Sequence, residues 1–360
     1  MPDKSIFRII NGIDIYQNKK DVVVVMREST PNQKLYRLPI LDRIWSEANC
    51  QVMNKEQRFV PVDFALAKTV FDIIGISQDQ AHKLKYQYAH SYTQFVEAII
   101  KLAPQTTEKV ELLQHITCGA SCPQSYHNKL NTVKQMADVL SADDLACWNT
   151  NGYVVVKNAI SPSNCQRALS VICDFLEVDI NNPDTWYNLD GDKISKTMVH
   201  LVQHSALEEN RNAVRIHKAF SQLWQTERLQ VSADRCGFNP PETVNDVYQG
   251  TDLHWDLDFS QPLSFGTQGI LYLSDTSQDQ GATTVVPGFH HRLANWLDDM
   301  PFDPNQPRPD YFHQQGSQAI AANAGDLVIW HHFLPHGGSP NKATMPRIVQ
   351  YINMQPLPTV

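Results

Sequence analysis

The sequence has no block of basic residues, no long apolar run and no paired-cysteine framework, and each absence removes a class of function. Thirty lysines and arginines stand against 38 acids, for a formal charge of −8. The electrostatic footprint of a nucleic-acid binder is therefore missing. No apolar run approaches the roughly 20 residues of a membrane helix. The opening MPDKSIFRII lacks the apolar core and small-residue cleavage site of a signal peptide, so a cytoplasmic location is expected. Seven cysteines, an odd number, argue against a disulfide framework in such a chain. Cys165 and Cys173 lie in an apolar helical pattern and read as buried thiols. No G-x-G-x-x-G, Walker A, H-E-x-x-H or G-x-S-x-G string occurs. Nucleotide binding, zinc proteolysis and serine hydrolysis lose their usual sequence support.

What is present is an ordinary globular composition. Of 360 residues, 42% are apolar and 19% charged, enough for a substantial core in one large or two ordinary domains. Residues 5–27 read as a three-stranded meander, with turns at Asn11-Gly12 and at Asn18-Lys19-Lys20-Asp21. From Pro39 to Val139 the pattern is mostly helical. Helices are expected from Phe64 to Gly75, over Gln80–Leu102 and over Lys109–Ile116. A new unit begins near Ser141, whose helix carries acids in its first turn. The predicted division is an extension, 1–140, of unknown role, and a second domain, 141–360. Within the latter, Tyr153–Val156 is a strand, Ser161-Pro162 starts a helix, Lys218–Leu229 forms another, and Leu229–Ala233 is a strand. After Pro240-Pro241 short strands dominate, at Val247–Gln249, Gly269–Leu273, Thr283–Val286, Leu327–Trp330 and Ile348–Met354. Such strands between Gly, Pro and Asn turns predict a sandwich or barrel.

Two groups of residues offer metal ligands. His115, Cys118, Cys122 and His127 fall close together, but their spacing matches no common zinc module. A turn with two free thiols is the reading preferred to zinc. The second group lies in the stretch Leu253–Gln355, which opens on LHWD, passes through LPHGGSPN and ends on PRIVQYINMQ. Side chains alternate along an extended segment, so His254 and Asp256 share a face while Trp255 points elsewhere. His336 follows a predicted strand and a Pro335 turn. Two histidines and one carboxylate form the ligand set of a non-haem iron(II) site with open positions.

These strings also carry a resemblance. NGYVVVKNAISPSNC, LHWDLD, GILYLSDTSQDQGATTVVPGFHH, AGDLVIWHHFLPHGGSPN and PRIVQYINM are similar to the motifs of the phytanoyl-CoA dioxygenase-like family of iron(II)/2-oxoglutarate-dependent oxygenases. The likeness spans residues 141–357 and says nothing of 1–140. It implies an α+β chain with a double-stranded β-helix core (jelly-roll, cupin-like), flanking helices and a mostly helical N-terminal extension. It implies Fe(II), held by His254, Asp256 and His336, with 2-oxoglutarate and O2 as cosubstrates. It matches Arg347 to the residue that binds the distal carboxylate of 2-oxoglutarate, a role for which a planar, permanently charged donor fork is suited. Tyr272 is a further candidate for that cosubstrate or a core residue, and Ser339 is a candidate for it or a turn cap. Trp255, Asp258 and Phe259 border the ligand segment and are candidate substrate contacts. Asp258 is a lesser alternative to Asp256 as ligand. His331 and His332 are read as neighbours of the site and His290 as a loop support. The implied reaction is hydroxylation, desaturation or ring closure of a small molecule, with release of succinate and CO2. Two alternatives stay open at this point. One is a cupin-like metal-binding protein without oxygenase activity; the other is a metal-dependent dioxygenase or isomerase that does not use 2-oxoglutarate. The family name suggests an acyl-CoA, but no basic cluster suited to its phosphates adjoins the motifs, so a free small metabolite is preferred. Oligomeric state is not legible.

Overall fold

The computed structural model describes residues 6–10, 13–18, 21–26, 30–55, 60–299, 302–304, 306 and 308–358, those before 30 as backbone only. The chain divides into two compact units. One comprises residues 1–67 and 82–123 with the last residue; the other comprises 68–81 and 124–359.

The strands are β1 (Ile6–Ile10), β2 (Ile13–Asn18), β3 (Asp21–Met26), β4 (Tyr153–Val156), β5 (Ile194–Ser195), β6 (Met198–Val199), β7 (Leu229–Val231), β8 (Cys236–Asn239), β9 (Thr267–Tyr272), β10 (Thr284–Val285), β11 (Gln318–Ala319), β12 (Leu327–His331), β13 (His336–Gly337), β14 (Arg347–Tyr351) and β15 (Met354–Pro356). In the first unit β1, β2 and β3 pair antiparallel as a meander. The turn residues expected at Asn11-Gly12 and Lys19-Lys20 lie outside the described residues. Helix Pro39–Val52 lies against helix Tyr92–Leu102, and Trp45 donates from Nε1 to the Tyr88 carbonyl at 2.9 Å.

The second unit holds the β-rich region. Seven strands form one antiparallel sheet in the order β4-β12-β9-β14-β8-β6-β5, and a three-stranded sheet runs β11-β10-β13. Strand alternation sorts the large sheet into two faces. Val154, Val156, Leu271, Leu327, Ile329, Ile348 and Phe238 join a core that includes Ile172 and Leu176 of helix Pro162–Leu176 and Ile216 and Phe220 of helix Val214–Trp224. The other face presents Ile270, Tyr272, Val328, Trp330 and Val349 to a second core containing Val285 of β10 together with Leu253 and Trp255. Arg347 has the parity of Val349, so it too faces this second side.

The second core is rich in rings. Trp255 makes edge contacts with Phe259, Phe289, Trp296 and Phe312 at centroid distances of 4.8–5.6 Å. Its Nε1 donates to the Phe333 carbonyl at 2.9 Å. Among the described residues no helix is long and apolar enough to cross a membrane.

Several expectations are corrected. Gln80–Leu102 is two helices, Gln78–Gln87 and Tyr92–Leu102. The apolar spacing runs through the break, but Ser91 is extended and accepts from the Gln94 amide, the S-x-x-Q signature of a new helix start. The helix assigned to Lys218–Leu229 runs Val214–Trp224, and Gln225 stops it in the left-handed region at φ 54°. Val247–Gln249 is not a strand. His254 and Asp256 do not lie on a regular strand, since His254 makes only an isolated bridge, to His336. His336, expected in a loop, lies in β13.

His331 is buried beside Trp148, Phe265, His290 and Phe333. Burial, aided by the neighbouring histidines, pushes its pKa down to about 3. The unfolded chain, near 6.5, takes the proton first, so stability falls as pH drops from about 6.5 towards 3, by about 1.4 kcal/mol per unit. His331→Phe keeps the ring and removes the proton site. Its acid unfolding midpoint is expected to move to lower pH, followed by circular dichroism; an unmoved or raised midpoint contradicts the assignment.

Candidate metal centre

Three side chains from distant parts of the second unit converge. His254, Asp256 and His336 each offer one ligand atom, all within 4.8 Å of one another. Among the described residues no other group of three such side chains comes together. The cause is a backbone constraint. The amide of His254 donates to the His336 carbonyl at 2.9 Å, and the amide of His336 donates back at 2.9 Å. Such a reciprocal pair fixes both Cα atoms and sends both side chains the same way. The imidazole centroids are 4.8 Å apart.

The ring orientations are fixed as well. Nδ1 of His254 lies 2.8 Å from the Asp252 carbonyl, and Nδ1 of His336 lies 3.1 Å from that of Leu334. A carbonyl only accepts, so both Nδ1–H groups donate. In the neutral rings this leaves Nε2 bare, the arrangement typical of ligating histidines. The two Nε2 atoms lie 3.3 Å from Oδ1 and Oδ2 of Asp256 respectively. Bare nitrogens facing a carboxylate repel unless a proton or a cation lies between them. Desolvation works to raise the pKa of Asp256, but where the imidazoles carry a proton on Nε2 as well, their hydrogen bonds outweigh it and hold the carboxyl well below the usual range. Burial lowers the pKa of His254, yet the bond to Asp256 leaves it raised overall. The donor set of two imidazoles and one carboxylate thus fits a divalent metal of the iron or zinc type.

Arg347, at the start of β14, is 2% exposed, and its Nε has no hydrogen-bond partner. No carboxylate pairs with it among the described residues. A buried guanidinium without an anion is costly, and Arg347 therefore fits an anionic group. Tyr248 lies near it; burial pushes this phenol up to about 12, which Arg347 only partly offsets. Asn239 sits across the ladder from Arg347. Both Asn239 and Tyr248 line a cavity of about 330 Å³ that also includes Tyr187, Lys196, Phe238 and Glu242.

The remaining candidates separate. Tyr272 is fully buried; its hydroxyl accepts from the Thr283 amide at 2.9 Å and donates to the Ile320 carbonyl at 3.1 Å. With its proton committed, it is a core residue and the expected cosubstrate contact is withdrawn. Ser339 donates to the Ala282 carbonyl at 2.9 Å, which leaves no proton for a carboxylate, so its role is corrected to turn support. Trp255 fills the aromatic core. Phe259 packs on it. Asp258 is exposed and accepts from the amide and hydroxyl of Ser260 at 2.9 and 2.6 Å, so it caps a turn. His290 and His291 both turn a ring nitrogen to the Asn149 carbonyl.

Two residues escaped the sequence reading. Gln268 on β9 donates from Nε2 to Asp256 Oδ2 at 2.7 Å, and Trp330 on β12 donates from Nε1 to Gln268 Oε1 at 3.0 Å. The Trp330 ring also lies 5.3 Å from that of His336. The available signal was a glutamine at an inward position of a strand otherwise lined by Ile270 and Tyr272.

The chain is similar to several known proteins. The sequence profile of the phytanoyl-CoA dioxygenase (PhyH) family matches residues 148–349. A curated Dictyostelium discoideum protein described as a phytanoyl-CoA dioxygenase is 26% identical over 262 residues, covering 58% of this chain and 74% of its own. Among solved structures, the α-ketoglutarate-dependent carbocyclase SnoK of nogalamycin biosynthesis is similar at 17% identity and a TM-score of 0.45, over 62% of this chain and 86% of its own. EctD from S. alaskensis with bound Fe gives 16% identity and a TM-score of 0.43, over 60% and 76%.

The close approach of the two histidine segments requires Gly337. A Cβ there would meet the Asp252 carbonyl carbon at 2.5 Å and its oxygen at 2.6 Å, both backbone atoms that cannot step aside. Gly337→Ala is therefore expected to weaken Co(II) binding by at least about tenfold and to lower the melting temperature. Isothermal titration calorimetry checks this; wild-type affinity in the variant would contradict it.

Proposed function

The chain belongs to the phytanoyl-CoA dioxygenase family of iron(II)/2-oxoglutarate-dependent oxygenases, and from that premise we propose that it oxidises a free small-molecule metabolite. The proposed reaction converts substrate, 2-oxoglutarate and O2 into hydroxylated substrate, succinate and CO2, with desaturation or ring closure as variants of the same chemistry. The observation that carries the reading is the convergence of His254, Asp256 and His336, together with a buried Arg347 that no carboxylate pairs among the described residues. Residues 141–360 are the proposed oxygenase domain, and its two facing sheets the proposed double-stranded β-helix.

In this reading His254, Asp256 and His336 hold the iron. Iron(II) with the keto acid supplies the oxidising chemistry. The protein supplies position and charge. The Asp252 and Leu334 carbonyls keep both imidazoles in one tautomer. Asp256 contributes the single negative charge, and its depressed pKa keeps it ionised throughout the physiological range. Arg347 binds the distal carboxylate of 2-oxoglutarate with a charge-assisted fork, and the apolar inner face around Ile270, Val328 and Val349 excludes water from that contact. The cavity of about 330 Å³ is lined by none of the three converging side chains and not by Arg347, so the preference for a free small substrate rests on the sequence, which carries no basic cluster beside the motifs suited to the phosphates of an acyl-CoA.

Anaerobic addition of Fe(II) and 2-oxoglutarate is expected to produce a weak visible charge-transfer band that His336→Ala abolishes; an unchanged band in that variant sinks the metal assignment. Arg347→Ala is expected to raise the KM for 2-oxoglutarate by about 10- to 100-fold, the loss of a charged hydrogen-bond partner, with metal affinity retained. Succinate formation indifferent to Arg347→Ala would favour a different cosubstrate site. No succinate from the wild type with any metabolite, or without one, would favour a binding protein.

A further inference from the structure

Asp256 is the most exposed of the three converging side chains, and it has neither a strand nor a bridge to hold it. It nevertheless has a fixed partner. Gln268 Nε2 donates to its Oδ2 at 2.7 Å, and Trp330 Nε1 donates to Gln268 Oε1 at 3.0 Å. Indole nitrogen is a donor only. It therefore dictates which end of the Gln268 amide faces it, and the NH2 group is left facing the carboxylate. The two residues stand directly opposite each other, Trp330 paired with Gln268 in the β12–β9 ladder, so the relay is built into the register of the sheet. Trp330 is buried, and its ring lies 5.3 Å from the His336 imidazole. One indole thus backs two of the three side chains, one by ring contact and one through an amide.

We propose that Gln268, oriented by Trp330, is a positioning residue that ties one oxygen of Asp256 and presents the other to the metal. This inference rests on the function proposed above. A carboxylate with Oδ2 engaged by a charge-assisted bond favours binding through Oδ1 alone. That leaves room around the ion for the cosubstrate and for O2. Without the amide, Asp256 is free to turn, to bind through both oxygens or to leave for solvent. The bond also joins the loop that carries Asp256 to the rigid sheet.

The test uses the full-length chain, with Co(II) titrated calorimetrically and the Fe(II)–2-oxoglutarate band recorded anaerobically. Gln268→Leu is expected to weaken Co(II) binding by about 10- to 100-fold and to shift or diminish the band. Trp330→Phe keeps the ring against His336 and removes only the N–H. Alone it is expected to weaken binding several-fold, and in the Gln268→Leu background it is expected to add nothing. Wild-type affinity in Gln268→Leu overturns the proposal. So do additive effects of the two substitutions, because they would mean that Trp330 does not act through the amide. A lowered melting temperature of the metal-free protein with unchanged affinity also overturns it, by reducing Gln268 to a stabilising contact. If Trp330→Phe does not fold, Gln268→Leu and Gln268→Met still decide the central point. Failure of the underlying function reads differently: His254→Ala would then bind Co(II) as tightly as wild type.

Discussion

The site depends on two main-chain hydrogen bonds. His254 and His336 exchange amide and carbonyl at 2.9 Å in both directions, across a gap that tolerates only glycine at position 337. This isolated bridge lies away from the long ladders, yet it sets the distance between two imidazoles from remote parts of the chain. The carbonyls of Asp252 and Leu334 then choose the tautomer of each ring. Geometry that precise cannot come from the histidine side chains themselves, which have free rotors. It comes from backbone groups that must be satisfied in any case.

The electrostatics follow from burial. Asp256 sits between two imidazoles, and when these carry a proton on Nε2 their hydrogen bonds win against desolvation. Arg347 sits on the inner face of β14 with the apolar Val349 next along that face, and its Nε is unsatisfied. Taken alone, each group is a liability for folding: a cluster of repelling ligand atoms and a buried cation that no carboxylate pairs among the described residues. Together they are complementary to a divalent metal and a dicarboxylate. Local destabilisation of this kind is what a preorganised binding site costs. The aromatic cluster around Trp255 and the helix-covered opposite face of the seven-stranded sheet supply the packing that offsets it.

Much of this was legible in the residues. H-x-D with a later histidine in a glycine frame named the three converging side chains, and PRIVQ named Arg347, because metal ligation and carboxylate binding restrict the residue types. Tyr272 and Ser339 each carried two readings, since a hydroxyl looks the same in sequence whether its proton is free or committed to a backbone carbonyl. Trp255 carried two for a similar reason: adjacency to a ligand is not exposure to its pocket. Gln268 and Trp330 stayed hidden because their pairing is a matter of strand register, which periodicity does not give. The break at Ser91 was present as a capping signature but lay under a continuous apolar pattern. Helix ends such as Gln225 were set by a single left-handed residue with no compositional mark.

The central claim is that one metal and one keto acid share this pocket. It is tested most directly by anomalous diffraction at the iron edge from crystals grown anaerobically with Fe(II) and 2-oxoglutarate. The account predicts one anomalous peak within bonding distance of His254 Nε2, His336 Nε2 and an Asp256 oxygen, with the distal carboxylate of the keto acid on the Arg347 guanidinium. A peak elsewhere, or a keto acid bound away from Arg347, would contradict it.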